Sequence, residues 1–370
     1  MQNKIDFQKG FVNKGNQIRL KKLFDRAASK EKLTIACFGG SITQGSLATS
    51  NEKCYASRIF KWWETTFSET EFSFVNDGIG GTTSLFGVAR VEDDLLRYKP
   101  DFVIIDFSVN DECDNHFMET YEGLIRKIYY FETKPAVLLL HNVFYDTGRS
   151  AERVHRKIGR HYDIPSVSVR PTIYEAVLDG VIENREITPD DLHPNDEGHQ
   201  LLAEQIIAFL EMARVNASCE EEKTVEAISK NRYENTKRFD NRNITPAYVD
   251  FEIDKSLQAG ITDCFKNGWI GHKNGQKIVF EFEGTGLSVQ YRRSIKKPAA
   301  IAKVTIDGNA AMSFILDGNF DETWGDKLEL ETLTENLQKG QKHSVEIEVI
   351  DAGEDKTPFY LNAIMVNTEV

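Results

Sequence analysis

The sequence lacks several features that would place it in a specialised protein class. It has only five cysteines in 370 residues, and no two of them form a C-x-x-C pair. The N-terminal stretch MQNKIDFQKGFVNKG has no apolar core of the kind that a secretory signal carries, and no run is long and apolar enough to span a bilayer. We therefore expect free thiols in a reducing cytoplasm rather than a disulfide framework.

The sequence also has fewer positively charged than negatively charged side chains. Lysine and arginine number 45 against 58 aspartates and glutamates, which gives a formal net charge of −13. An acidic surface repels phosphate backbones, so nucleic acid is not expected as a partner, and an anionic membrane surface is disfavoured as well. A neutral substrate is compatible with this charge.

Between about residues 33 and 213, short apolar strands alternate with amphipathic helices. Strands that are apolar on both faces and separated by helices indicate a parallel sheet covered on both sides. Because crossovers between parallel strands are right-handed, we predict a three-layer, doubly wound α/β domain of flavodoxin-like type. The predicted strands are residues 34–38, 72–75, 102–107, 136–140 and 166–169, and the predicted helices are residues 17–30, 54–68, 85–98, 118–132, 150–162 and 196–213.

The pattern changes after about residue 214. Residues 216–245 are dense in charge and poor in large apolar side chains, which predicts a solvated linker. From Pro246 onward, segments such as KIVFEFEG and HSVEIEVID alternate apolar and polar residues, and several such strands predict an all-β sandwich or jelly roll. The expected organisation is an α/β domain over residues 1–215, a linker over 216–245 and a β-sandwich over 246–370.

Polar, glycine-containing loops follow the strands of the α/β domain. Ligands of open parallel sheets bind outside the carboxyl ends of the strands, so these loops should converge on one site. Three of them come directly after predicted strands, and the fourth precedes the last helix. Their sequences are GGSIT (39–43), NDGIGGTTS (76–84), SVND (108–111) and PDDLHPNDEGH (189–199).

The converging loops hold the groups that acyl transfer requires. A serine hydroxyl is a poor nucleophile until a base removes its proton, and His193 is the obvious base for Ser41. Asp190 lies three residues before the histidine and can orient its imidazole across one loop. The backbone N–H groups of Ser41 and Gly81 and the side-chain amide of Asn110 can supply three donors to an oxyanion.

Simpler interpretations exist for each part taken alone. The GGS stretch by itself is typical of a tight turn or a helix cap. Asp190 and His193 alone would fit a surface pair or half of a metal site, although no zinc-ligand spacing surrounds them and no metal is expected. Asp191 competes with Asp190 as the orienting acid. An α/β-hydrolase elbow is excluded because the second residue after Ser41 is Thr43, whereas the G-x-S-x-G motif requires glycine at that position.

The four loops together resemble the four sequence blocks of the SGNH, or GDSL-like, hydrolase superfamily. The resemblance covers residues 34–213. It departs from the family pattern at Gly40, where GDS has aspartate, and at Ser108, where the third block has glycine. It implies five functional residues, namely Ser41 as nucleophile, Gly81 and Asn110 as oxyanion donors, His193 as base and Asp190 as its partner.

The second domain offers candidate substrate contacts. Trp269 and Trp324 lie in polar, glycine-rich loops rather than in alternating strands, so each ring either contacts a sugar or plugs the end of the sandwich. We favour Trp324 as a contact. Asp111, next to the third-block asparagine, is a further candidate contact unless it caps the following turn.

The order of the two domains resembles that of the acetyl esterases of carbohydrate esterase family 17, which act on acetylated mannan and carry a C-terminal family-35-like carbohydrate-binding module. This resemblance implies a serine esterase without cofactor that removes O-acetyl groups from manno-oligosaccharides. The alternatives are an acetylxylan or general short-chain esterase, a lysophospholipase-like hydrolase, or a glycan-binding protein with a vestigial hydrolase domain. A structural calcium ion in the second domain and a homo-oligomer stay open.

Overall fold

The computed structural model describes residues 5–368. The chain divides into two compact units, Met1–Asn231 and Arg232–Val370. The first unit contains a parallel sheet flanked by helices, and the second contains antiparallel sheets. The predicted fold class is therefore confirmed.

The first unit is built on a five-stranded parallel sheet with the strand order β2-β1-β3-β4-β5. In this order the chain winds outward in both directions from β1 and β3, and the loops that follow these two neighbouring strands meet at the carboxyl edge of the sheet. Ligands of such folds bind at that point. The strands are β1 (Leu33–Gly39), β2 (Phe72–Gly78), β3 (Phe102–Asp106), β4 (Ala136–His141) and β5 (Ser166–Ser168).

Helices cover both faces of this sheet. Within residues 5–368, no helix is both long enough and apolar enough to cross a membrane. A π-helical turn, Arg170–Tyr174, follows β5. The α-helices of this unit are α1 (Ile18–Ala28), α2 (Ser41–Gln44), α3 (Tyr55–Thr66), α4 (Ser84–Asp94), α5 (Asn115–Tyr129), α6 (Glu152–His161), α7 (Glu175–Leu178), α8 (Asn184–Ile187) and α9 (Asp196–Asn216).

The burial of β1 shows why the sheet needs cover on both sides. Ile35 and Cys37 join a core formed with α1, α3 and α9, while Ala36 and Phe38 are equally buried on the opposite face. Each large aliphatic or aromatic side chain buried in this way contributes about 1.5–3 kcal/mol. Burial raises the pKa of the Cys37 thiol well above its ordinary value, as expected for a core residue rather than a nucleophile.

The second unit contains two antiparallel sheets. Their strand orders are β13-β12-β15-β10-β7 and β14-β11-β16-β9-β8, and β6 pairs with β16. The strands are β6 (Lys237–Phe239), β7 (Tyr248–Val249), β8 (Glu252–Ile253), β9 (Trp269–Gly271), β10 (Lys277–Glu283), β11 (Gly286–Arg293), β12 (Ile301–Ile306), β13 (Ser313–Asp317), β14 (Lys327–Thr334), β15 (Lys342–Asp351) and β16 (Phe359–Asn367).

One apolar core joins the two sheets of this unit. Along β10, the inward residues Ile278, Phe280 and Phe282 are buried, while the residues between them are more exposed. Side chains of the other sheet, among them Leu361 and Ile364, belong to the same core. The alternation seen in the sequence therefore reflects a sandwich with one apolar face per sheet.

The segment 216–245, which its charge predicts to be a solvated linker, is at least partly exposed over most of its length but makes specific contacts. The boundary between the two units falls inside it, after Asn231. Before the boundary, the Glu222 carboxylate accepts a hydrogen bond from Arg19 on α1 at 2.5 Å. After the boundary, the chain forms β6 on the second unit. The charges of this segment thus make specific pairs, which its composition alone does not reveal.

Candidate active site

Ser41 lies at the carboxyl end of β1, as the first residue of α2. The two glycines before it are required because other atoms approach closely. A Cβ atom on Gly39 would lie 2.4 Å from the backbone oxygen of Asp106, and one on Gly40 would lie 2.3 Å from Oδ1 of Asn110. The glycine that replaces the aspartate of GDS therefore leaves room for the Asn110 side chain beside the serine.

The structure brings Ser41, His193 and Asp190 into one hydrogen-bonded chain. Nε2 of His193 lies 2.9 Å from Oγ of Ser41, and Nδ1 lies 2.6 Å from Oδ2 of Asp190. An ionised carboxylate only accepts hydrogen bonds, so Nδ1 carries the hydrogen and Nε2 is free to accept the serine proton. The geometry is that of a nucleophile, a general base and an orienting acid.

The conformation of the loop places Asp190, rather than Asp191, against the imidazole of His193. Oδ1 of Asp190 accepts the backbone N–H groups of His193 at 2.7 Å and of Leu192 at 3.1 Å. Although burial raises it, these bonds and the bond from the imidazole hold the pKa of Asp190 below its ordinary value. Asp191 adopts a φ of 64°, and its carboxylate turns away to Arg185 at 2.8 Å.

The start of α9 fixes the loop that carries the histidine. The side chain of Asn195 caps this helix by accepting the backbone N–H groups of Glu197 and Gly198 at 3.0 and 3.1 Å. One turn later, His199 is buried and accepts the backbone N–H of Tyr55 at 3.3 Å. Burial lowers the pKa of His199 to about 4, so this histidine packs the loop in its neutral form.

Two loops beside Ser41 carry the other predicted oxyanion donors. Gly81 lies in the turn after β2 with a φ of 70°. Its neighbour Gly80 comes so near that a Cβ there would lie 3.5 Å from the Cβ of Ser41, and Gln44 Oε1 accepts the Gly80 N–H at 2.7 Å. Asn110 lies in the loop after β3. Within residues 5–368, no acceptor bonds the backbone N–H of Ser41 or Gly81 or the side-chain amide of Asn110.

Asp111 was expected to contact substrate, and the structure contradicts that expectation. Its side chain is fully buried. Oδ1 accepts the backbone N–H of Ser84 at 2.8 Å, and Oδ2 lies 3.0 Å from Nε2 of His155. Both carboxylate oxygens are therefore occupied inside the first unit, by groups 27 positions before and 44 positions after Asp111 rather than by the turn that follows it.

Of the two tryptophans predicted to contact substrate, the prediction for Trp269 is wrong. Its ring has no exposed surface and packs edge-to-face on Phe280, with ring centroids 5.1 Å apart. It lies in β9, a three-residue strand next to β16 that is too short to show an alternating pattern. Trp324 is 61% exposed, and its ring packs edge-to-face against that of Phe320. Its role as a sugar contact stays a prediction.

Sequence reasoning missed a buried polar cluster behind the Asn110 loop. The Asp106 carboxylate accepts from the Asn142 side chain at 2.7 Å and from Oγ of Ser108 at 3.0 Å. Burial raises the pKa of Asp106 to about 6, although these hydrogen bonds oppose the rise. The residue that departs from the third block, Ser108, thus links the loops after β3 and β4. Only its unusual identity signalled a special role.

The geometry of the site supports acyl transfer to Ser41. A nucleophile hydroxyl lies next to a base, the base is oriented by a carboxylate, and the three predicted oxyanion donors have no acceptor among residues 5–368. Within residues 5–368, no group of three or more histidine, cysteine, aspartate or glutamate side chains is arranged to hold a metal ion.

Known proteins share both the site region and the whole architecture. Residues 37–201 match the GDSL-like Lipase/Acylhydrolase family. A solved two-domain esterase active on acetylated mannans is 49% identical, with 99% of this chain and 100% of that chain covered and a TM-score of 0.96. Its crystal form with mannopentaose is 50% identical over 99% of both chains, again with a TM-score of 0.96.

A third relative matches less than half of this chain. An acetylxylan esterase from Geobacillus stearothermophilus is 27% identical over 179 residues, which is 43% of this chain and 80% of that protein. The family match, the whole-chain likeness to a two-domain esterase and the arrangement around Ser41 agree. The chain therefore belongs to the GDSL-like lipase/acylhydrolase family and is a carboxylic ester hydrolase.

Proposed function

We propose that this protein is a serine esterase that removes O-acetyl groups from acetylated manno-oligosaccharides. The observation that carries the proposal is the likeness over both units, at 49% identity, to an esterase active on acetylated mannans. The second structure of that kind was crystallised with mannopentaose, which supports a mannose-based oligosaccharide as the ligand class.

Acylation of the serine is the first half of the proposed reaction. Oγ of Ser41 attacks the acetyl carbonyl carbon while Nε2 of His193 takes the hydroxyl proton. The carbonyl oxygen becomes an oxyanion that accepts from the N–H groups of Ser41, Gly81 and Asn110. As the ester bond to the sugar breaks, the imidazolium returns its proton to the departing sugar oxygen, which leaves an acetyl group on the serine.

Deacylation repeats the relay with water. His193 removes a proton from a water molecule, whose oxygen attacks the acetyl carbon, and the same donors hold the second oxyanion. The bond to Oγ of Ser41 then breaks, the imidazolium returns the proton to the serine, and the product leaves as acetic acid, which loses its proton to solvent to give acetate. Each oxyanion donor is expected to lower the barrier by about 2.7–4 kcal/mol, and Asp190 stabilises the imidazolium formed in both halves.

The second unit is proposed to act as a carbohydrate-binding module. Support comes from Trp324, whose large indole ring is 61% exposed among polar neighbours. A flat aromatic face suits the C–H patches of a sugar ring, and the acidic surroundings hold polar groups for its hydroxyls. The buried Trp269 takes no part in this binding.

A second candidate substrate is acetylated xylo-oligosaccharide. It is favoured by the 27% identity to an acetylxylan esterase, although that likeness covers only 43% of this chain. The chemistry at Ser41 would be the same, and only the sugar contacts would differ.

The proposed location is the cytoplasm. Support comes from the five cysteines, none of which forms a disulfide bond within residues 5–368 and three of which are at least partly exposed to solvent. Such thiols are compatible with a reducing compartment. Detecting the protein in fractionated cells by antibody would check this: recovery in an extracellular fraction would contradict it.

The substrate proposal is tested by measuring acetate release from acetylated manno- and xylo-oligosaccharides of equal chain length, together with 4-nitrophenyl esters of increasing acyl length. We expect the highest kcat/KM on the manno-oligosaccharide and a decline beyond the acetyl ester. A higher value on the xylo-oligosaccharide would favour the second candidate. Faster turnover of long acyl chains would refute a carbohydrate acetylesterase.

A further inference from the structure

The buried carboxylate of Asp111 joins the two loops that carry different parts of the proposed oxyanion hole. Through the backbone N–H of Ser84 it holds the first residue of α4. Only two residues separate that serine from Gly81 along the chain. Asn110 directly precedes Asp111. One side chain therefore spans the turn after β2 and the loop after β3.

The loop after β3 is tight enough to transmit the position of this side chain. The backbone N–H groups of Asn110 and Asp111 both donate to the carbonyl oxygen of Phe107, at 3.1 and 3.0 Å. Because two consecutive backbone amides bind one carbonyl oxygen, the loop is tight. Asn110 and Asp111 therefore have little freedom to move relative to each other. A shift of the carboxylate would therefore move Asn110, whose side chain lies beside Gly40, the residue before Ser41.

His155 on α6 holds the carboxylate from the other side. Its ring is fully buried and stacks on Tyr121, with centroids 3.7 Å apart and planes at 8°. Because the ionised Asp111 only accepts, Nε2 of His155 donates to it. Within residues 5–368, Nδ1 of His155 has no hydrogen-bond partner, so the ring makes its side-chain hydrogen bond to this carboxylate.

We propose that Asp111 and His155 are positioning residues that fix the distance between Asn110 and Gly81 and thereby the fit of the oxyanion hole. The inference rests on the proposed function, because it requires an oxyanion to stabilise. Oxyanion donors act only when they are already in place as charge develops. A misplacement of about 1 Å can cost about 100-fold in rate.

The test compares Asp111→Ala and His155→Phe with the wild-type full chain on 4-nitrophenyl acetate. We expect kcat to fall about 10- to 100-fold with KM changed less than about twofold, because the donors act on the transition state. Asp111→Asn keeps an oxygen for the Ser84 N–H, and its NH₂ can donate to the other His155 tautomer. This variant is expected to recover part of the lost kcat.

A double-mutant cycle separates positioning from general damage. If Asp111 acts through Asn110, then Asp111→Ala should lower kcat by a smaller factor in the Asn110→Ala background than in wild type, because one of the two donors that it positions is already gone. The matched control is Glu122→Gln, a buried carboxylate on α5 that accepts from Ile228 N at 2.7 Å and Tyr162 Oη at 2.6 Å. It should lower the free energy of unfolding but leave kcat unchanged in both backgrounds.

The outcomes distinguish this inference from the proposed function. If the wild-type chain does not hydrolyse the ester, the proposed function fails. If it does, and folded Asp111→Ala and His155→Phe keep kcat within about threefold, the inference is overturned. It is also overturned if Asp111→Ala lowers kcat equally with and without Asn110. Should Asp111→Ala lose its cooperative thermal transition, the same cycle with Asp111→Asn and His155→Phe decides.

Discussion

Replacing Asp190 with asparagine tests how the imidazole of the proposed triad is held. Oδ1 of Asp190 accepts the backbone N–H groups of Leu192 and His193 at 3.1 and 2.7 Å. These groups only donate, so the amide oxygen of an asparagine must stay with them. Its NH₂ then takes the place of Oδ2, 2.6 Å from Nδ1 of His193.

The substitution therefore imposes the wrong tautomer. Nδ1 of His193 must accept from the new NH₂, so the ring hydrogen moves to Nε2, which faces Oγ of Ser41 at 2.9 Å. A protonated Nε2 cannot take the serine proton. The corresponding change in a Ser-His-Asp protease lowers kcat about 10⁴-fold, which is about 5.5 kcal/mol of barrier. For Asp190→Asn we expect a loss of about 10³- to 10⁴-fold.

The assay is kcat on 4-nitrophenyl acetate, with Asp191→Asn as the matched control. The Asp191 carboxylate bonds Arg185 and the side-chain amide of Asn184 rather than the imidazole, so its variant should stay within about twofold of wild type. An Asp190→Asn enzyme that keeps more than about one tenth of wild-type kcat would refute the reasoning. An equal loss in the two variants would also refute it.

Two further predictions concern stability and pH. Trp269→Ala should lower the free energy of unfolding in urea by about 3–5 kcal/mol, because it empties a core site. Trp324→Ala should change the free energy of unfolding by less than about 0.5 kcal/mol, and it should raise KM for acetylated manno-oligosaccharide. Equal stability losses in the two variants would contradict a buried Trp269 and an exposed Trp324. Burial lowers the pKa of His199 to about 4 from 6.5. Below pH 6.5 the unfolded chain therefore binds a proton that the folded chain refuses. Between pH 6.5 and 4, wild type should lose up to about 3 kcal/mol of stability relative to His199→Gln. A stability difference that is the same at pH 7 and pH 4 would contradict this linkage.

The α/β fold was predictable because its signals are local. The predicted strand 34–38 corresponds to Leu33–Gly39, and the predicted helix 118–132 corresponds to Asn115–Tyr129. Runs that are apolar on both faces occur between amphipathic helices, and parallel sheets require that pattern. The convergence of Ser41 and His193, 152 positions apart, followed from the rule that loops after parallel strands share one edge.

The errors concern residues whose environment is set by distant contacts. Trp269 resembles a loop residue in sequence, but pairing of its short strand with β16 buries it. Asp111 resembles a contact residue beside Asn110, but His155, 44 positions away, occupies its carboxylate. Asp190 and Asp191 carry identical side chains, so the sequence does not show which one faces the histidine. The positive φ of Asp191 turns its carboxylate away.

Acetate release from acetylated manno-oligosaccharide by folded Ser41→Ala, compared with wild type at equal enzyme concentration, tests the central claim most directly. Folding of the variant is verified by its thermal transition. We expect the variant to lose at least about 10³-fold in kcat, because Ser41 supplies the nucleophile. A folded variant that releases acetate at the wild-type rate would show that Ser41 is not the nucleophile.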